Sequence, residues 1–370
     1  MSSHDVDSAA ARAVATDRVQ LREQLWGAVI DCDEYAAVAT IYGAMDAGVA
    51  PEDVLLDVIA PVQQKIGLEW AANRISIAQE HAATAVNDRV IAALAHHPAR
   101  RTGAHTGKVT VACVVGEWHA LPARLLAETL RLRGWQVDFL GAQVPTPHLI
   151  AHLHQSGPDT VALSCSIPTR LPTAHAAITA CQAAGVAVLA GGAAFGPDGR
   201  YARQLGADAW APDARAAAEL LAEGFLSTHL SSTRQPIDDL PHLVDQEYTT
   251  VSQTATQLIK ETLATLETRI PAMREYSEME RQRTAEDIAH IVEFLVAGLY
   301  TDDDELFTGF ILWTADILVA RGVPAATLFP ALELLGKQLH EFPRSQRLID
   351  AANSALAGEK TPAADPQLNT

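Results

Sequence analysis

Val109-Thr110-Val111-Ala112-Cys113-Val114-Val115-Gly116-Glu117-Trp118-His119 decides how this chain is read. The run Val109–Val115 is rich in β-branched, apolar residues, as suits a strand covered on both faces of a parallel sheet. It ends by delivering a carboxylate and a histidine two residues apart. A histidine so placed can offer one ring nitrogen to a metal and donate its other N–H to the carboxylate. That pairing fixes the tautomer and raises the basicity of the ligand.

Strand and helix then alternate. A helix is predicted from about Pro122 to Arg133 and a strand over Val137–Leu140. Gly141-Ala142-Gln143-Val144-Pro145 follows, with a helix through Leu153. Val161–Ser164, Val186–Ala190 and Ala207–Trp210 supply the remaining strands. This order predicts a doubly wound parallel sheet, with His119 at its carboxyl edge, where such sheets bind ligands. Leu163-Ser164-Cys165-Ser166 closes the third strand and Gly191-Gly192 the fourth. A nucleotide-binding or phosphate-receiver domain would need a phosphate loop or an acidic pocket at these edges, and the sequence has neither.

The sequence of 370 residues suffices for two or three domains, each with its own core. A formal charge of −18 argues against nucleic acid or an anionic membrane as a main partner. Residues from Met1 to about Ala15 carry Asp5 and Asp7 where a signal peptide would need positive charge. No apolar run approaches the roughly 18 residues of a membrane span. Cys32, Cys113, Cys165 and Cys181 show no disulfide or zinc spacing, so the expected location is cytoplasmic.

Between Thr16 and His97 the apolar spacing is helical and broken near Gly48-Val49-Ala50-Pro51, predicting a four-helix bundle. Trp70 and Glu80-His81 lie within it; by themselves they read as a core aromatic and a surface turn. Past a polar linker around Ser231–Asp239, a second helical domain is expected from about Val251 to Ala357. Its long helix, roughly Tyr276 to Tyr300, buries Ile288, Ile291, Val292, Leu295 and Leu299 on one face. Further helices are expected near Asp303–Ala320, Pro324–Glu341 and Ser345–Ala357. Arg274, Arg281, Arg283 and Arg321 suit carboxylate recognition. Phe294, Phe310 and Trp313 could sandwich a conjugated ring system, and Asp316 could accept pyrrole N–H groups. The bland alternative is a charged face over an ordinary aromatic core, with His290 the ligand if haem were bound.

His119 after strand one, the hydroxyls after strand three and the Gly pair after strand four together resemble the cobalamin-binding Rossmann-like domain. The resemblance implies that His119 is the lower cobalt ligand, backed by Glu117. The displaced nucleotide tail would run beside Ser164, Ser166, Gly191 and Gly192, with Trp118, Leu121, Val144 and Pro145 as further contacts. Pro122 stands where the family usually has glycine, and Glu117 where aspartate is common. Trp70 followed ten residues later by Glu80-His81 resembles the cap of light-sensing adenosylcobalamin proteins, where these residues line the upper axial pocket. Ala71 replaces a histidine that in some of them captures cobalt after illumination.

The full order resembles the photocobilins, which add a globin-like domain that binds biliverdin. The implied fold is multi-domain α and α/β: a disordered tail (1–16), a helical cap (17–102), a cobalamin domain (106–226) and a linker (227–250). A globin-like bilin domain (251–358) and a second tail (359–370) complete it. No cysteine follows Cys181, so a bilin there would be held non-covalently or through another domain. The implied function is a photoreceptor with adenosylcobalamin and biliverdin. With no catalytic output domain visible, it would signal to a partner protein or through self-association, the homo-oligomer expected being a dimer. The rivals are a corrinoid carrier of a methyltransferase system and a globin-type haem sensor.

Overall fold

Among the described residues four helical stretches precede the sheet, and the last three are started by recognisable local devices. A computed structural model describes residues 18–97, 106–224 and 240–358; both predicted tails and linker residues 227–239 lie outside these. Helix α1 spans 18–30. Helix α2, Glu34–Asp46, is capped by Asp33, whose carboxylate accepts the Ala36 N–H at 2.9 Å. Pro51 opens the stretch 51–71 (α3), which is α-helical at Pro51–Asp53, π-helical at Val54–Ile59 and α-helical again over Ala60–Ala71. The π turn buries Val54, Leu55, Val58 and Ile59 together. Ser76 and Gln79 form a reciprocal capping box that starts α4, Ile77–Leu94.

The sheet follows the predicted alternation. Its strands are β1 Lys108–Cys113, β2 Gln136–Gly141, β3 Thr160–Ser164, β4 Ala187–Gly191 and β5 Ala209–Ala211. They pair in parallel in the order β2-β1-β3-β4-β5. That order reverses direction at β1 and β3, the switch point of a doubly wound sheet. The connecting helices are α5 Leu121–Leu132, α6 Thr146–Ser156, α7 Leu171–Ala183, α8 Arg200–Gln204 and α9 Ala214–Glu223. Strand one is shorter than the apolar run implied. The Glu117 N–H donates to Val114 O at 3.0 Å, and Gly116 takes φ +84°, so residues 114–117 turn rather than extend.

The chain divides into two compact units, one of residues 1–166 and 173–234, the other of 167–172 and 235–370. Cap and sheet therefore form one unit. Leu121 and Leu125 of α5 insert into the cap core among Leu25, Ile41, Leu55, Ile59, Ile66 and Ile91. Burying these two leucines is worth on the order of 3–6 kcal/mol. An ion-pair clasp reinforces the join. Arg133 forks onto Glu52 of α3 at 2.7 and 3.0 Å, holding that carboxyl below its usual range. Arg215 of α9 reaches Asp57 at 3.2 Å and Glu52 at 3.4 Å.

The other unit is all-α. Its helices are α10 Glu247–Arg269, α11 Glu278–Thr301, α12 Asp304–Ala320, α13 Phe329–Gln338 and α14 Pro343–Gly358. The predicted face of α11 is buried, with Val292, Leu295 and Leu299 fully enclosed. Structure begins earlier than the linker reading implied, with a short turn at Pro241–Asp245 and α10 starting at Glu247. Glu247 is the reason. It is buried and accepts the Arg344 and Ser345 N–H groups, each at 3.0 Å, at the head of α14. No helix among the described residues is long and apolar enough to cross a membrane.

Candidate functional site

The turn after β1 holds Glu117 with its carboxylate buried and His119 with its ring outward. Glu117 Oε1 accepts the His119 amide at 2.8 Å and His119 Nδ1 at 2.6 Å, while Oε2 accepts the Ser166 amide at 2.6 Å. Burial alone would raise the Glu117 carboxyl. The hydrogen bonds from the His119 ring, the His119 amide and the Ser166 amide outweigh it and hold the group below its usual range. The bond to Glu117 raises His119 against the opposing effect of burial, and the charges of Glu117 and Glu80 add to it. Because the carboxylate only accepts, Nδ1 carries the proton and the neutral ring keeps its lone pair on Nε2. The His119 side chain is 59% exposed, so that nitrogen can be reached from outside. The donor set suits a single axial bond to a metal held mainly by its own macrocycle. No cluster of three or more metal-ligating side chains occurs among the described residues.

The loop after β2 is pinned to the same edge. Gln143 donates its N–H to Glu117 O at 3.0 Å and Val144 to Cys113 O at 3.2 Å; Pro145 then caps α6. The Gly pair sits where β4 ends. Gly192 has φ +104°, and a Cβ there would lie 2.3 Å from Cys165 O, so no other residue fits. Ser164, Gly191 and Gly192 line a cavity of about 110 Å³, with apolar walls from Ala162, Leu163, Leu189, Leu126 and Ala211. A flat heteroaromatic base would suit such walls, so the residues present fit the nucleotide tail of cobalamin.

Of the cap candidates, Glu80 sits in the first turn of α4, where the helix N-terminus favours its charge. It also pairs with His81. Trp70 is half-buried against the cap core, and Trp118 is 73% exposed. Leu121, read as a cofactor contact, packs into the cap core and also borders a second cavity, about 550 Å³, between cap and sheet. Sequence reasoning passed over most of its wall. Leu56, Ala60, Gln63, Leu125 and Pro212 line it, and no local pattern marks them.

Two matches to protein families decide what this unit is. Residues 107–222 match the model described as B12 binding domain, and residues 21–95 match a second model of the same description. Both segments are B12-binding domains. No curated protein matches the chain. Among solved structures, the chain is similar to the monomethylamine corrinoid protein of Methanosarcina barkeri. That pair shares 20% identity over 55% of this chain and 98% of that one, with a TM-score of 0.49. A novel cobalamin-binding protein from Desulfitobacterium hafniense DCB-2 shares 21% identity over 55% and 97%, TM-score 0.31. The methanol:cobalamin methyltransferase complex MtaBC of Methanosarcina barkeri shares 18% over 60% and 83%, TM-score 0.30. The B12-binding matches end at residue 222, ahead of the all-α unit.

In that all-α unit the bilin candidates do not form a slot. Phe294 and Phe310 stack on each other, centroids 3.7 Å apart and 6° from parallel, which leaves no gap for a ring between them. Trp313 lies tilted 6.1 Å from Phe310 and is 47% exposed. Arg274, Arg283, Asp316 and Arg321 are exposed, and Arg281 is paired with Glu267 at 2.7 Å. His290 is exposed on α11 and forms a 3.7 Å ion pair with Glu293, whose carboxylate raises it. Helices α13 and α14 line a separate cavity of about 550 Å³ through Phe329, Leu332, Gly336 and Ile349.

Proposed function

We propose that the chain is a light sensor holding adenosylcobalamin between sheet and cap, with His119 below the metal and Trp70, Glu80 and His81 above it. One observation carries the reading: at the edge of β1 an exposed histidine ring, His119, is backed at 2.6 Å by the buried Glu117 carboxylate, as a metal-facing ligand would be. Adenosylcobalamin supplies a cobalt–carbon bond that light cleaves. Glu117 holds His119 in the Nδ1–H tautomer, leaving Nε2 for the metal. Ser164, Gly191 and Gly192 make room for the nucleotide tail. On the upper face, Trp70 fences the adenine, while Glu80 and His81 accept and donate hydrogen bonds at the ribose. These cap contacts exist only while the adenosyl group is in place, so its loss shifts the packing equilibrium of the cap. For the all-α unit we propose a globin-like sensory role with biliverdin as non-covalent ligand, which requires Phe294 and Phe310 to part.

The second reading is a corrinoid carrier for methyl transfer. The B12-binding matches, together with the corrinoid proteins among the structural likenesses, fit it at least as well as they fit a light sensor. The readings separate on the upper ligand. Protein reconstituted in the dark with adenosylcobalamin and biliverdin, then illuminated, should change its cobalamin spectrum and elution volume, with a bilin band surviving gel filtration. Dark and lit proteins that elute alike, together with preferred binding of methylcobalamin, would replace the sensor with the carrier.

A further inference from the structure

The cap contains a hydrogen-bond chain whose donors all point one way. Asn87, fully buried on α4, donates Nδ2 to Gln63 Oε1 at 2.8 Å. Gln63 of α3 donates Nε2 to Thr84 Oγ1 at 2.8 Å, and Thr84 donates its hydroxyl to Glu80 Oε1 at 3.1 Å. Glu80 Oε2 meets His81 Nδ1 from the other side. The direction follows from the chemistry of the end group. An ionised carboxylate only accepts, so Thr84 must give its single proton to Glu80 and take one from Gln63. The Gln63 oxygen is thereby left for Asn87. Chains of this kind polarise along their length and end strongest at the charge.

Two helices thus hold one carboxylate. Each Glu80 oxygen has one acceptor direction occupied, by Thr84 or by His81, which leaves each with a further lone pair to offer a ligand. A carboxylate locked in this way suits a pair of neighbouring hydroxyl donors and offers nothing to a methyl group.

We infer that Gln63 and Thr84 are positioning residues that fix the orientation of Glu80 and so select an upper ligand bearing a vicinal diol. The inference rests on the proposed function and adds the residues that set its selectivity. The test is absorption titration, in the dark, of the full chain and of Thr84→Val, Thr84→Ser and Gln63→Met with adenosyl-, methyl- and hydroxocobalamin. A charge-assisted hydrogen bond contributes enough that Thr84→Val and Gln63→Met should lose about tenfold in affinity for adenosylcobalamin. Both should keep wild-type affinity for the other two forms, and Thr84→Ser should restore the preference. An adenosyl preference that survives both substitutions overturns the inference alone. Equal losses for all three forms would also overturn it, making the chain a brace between α3 and α4. A wild type with no preference for the adenosyl form overturns the proposed function and the inference with it.

Discussion

The two units differ in how they set the residues predicted to meet a ligand. At the edge of β1, Glu117 is buried and receives three hydrogen bonds at 2.6–2.8 Å, so the His119 ring is aimed before any ligand arrives. In the all-α unit the arginines and Asp316 stand in solvent, and the large aromatics have closed on one another. A site built for a ligand keeps a buried polar partner behind an exposed polar group. A folded helical core with a charged surface does not need one. By that measure the B12-binding domains are already shaped for their ligand, whereas the helical unit offers no slot between Phe294 and Phe310.

The sharpest break of this contrast is at Gly192. With φ +104° and backbone oxygen 2.3 Å from any added Cβ, Gly192→Ala should cost about 2–4 kcal/mol in urea unfolding of the sheet unit. Binding of the nucleotide tail should weaken with it. Normal stability and cobalamin affinity in this variant would mean that the β3–β4 edge is loose and the pre-shaped site is not.

Glu247→Gln sharpens the other half. Glu247 accepts the Arg344 and Ser345 amides and, at 3.2 Å, the Ser345 hydroxyl. Its amide isostere should therefore cost the helical unit about 1–3 kcal/mol and leave cobalamin binding unchanged. A fall in cobalamin affinity would show the units to be energetically coupled.

The smallest effect expected is with acid. Burial works against the Asp302 charge, but Arg347 and Arg344 outweigh it and hold the carboxyl below its usual range; Asp245 is lowered similarly by Arg344. A depressed carboxyl contributes stability above its unfolded pKa and loses it as pH falls through the folded value. The helical unit should therefore soften only below about pH 4, and by no more than about 1 kcal/mol per pair, because these groups are partly exposed. Softening between pH 5 and 7, followed by circular dichroism, would point to histidines instead.

Much of the first unit was legible because its chemistry is local in sequence. Glu117 and His119 are two residues apart, the Gly pair ends a strand, and alternation of strand and helix set the sheet. What escaped depends on tertiary contact. Gln63 and Thr84 look like any polar residues on a helix face, and only the packing of α3 on α4 brings them together. The π turn at Val54–Ile59 leaves an ordinary helical pattern behind it. Phe294 and Phe310 lie 16 residues apart on two helices, and their mutual stacking, which removes the predicted slot, follows from the α11–α12 pairing. The early start of α10 was hidden for the same reason, since the partners of Glu247 lie about a hundred residues away, at Arg344 and Ser345.

The central claim is that His119 is the metal-facing residue of a cobalamin site. The most direct measurement is the dark absorption spectrum of adenosylcobalamin bound to wild-type protein and to His119→Ala. Wild-type protein should give a histidine-ligated, base-off spectrum, and the variant should bind more weakly with a base-on or water-ligated spectrum. An unchanged base-off, histidine-ligated spectrum in His119→Ala would contradict it.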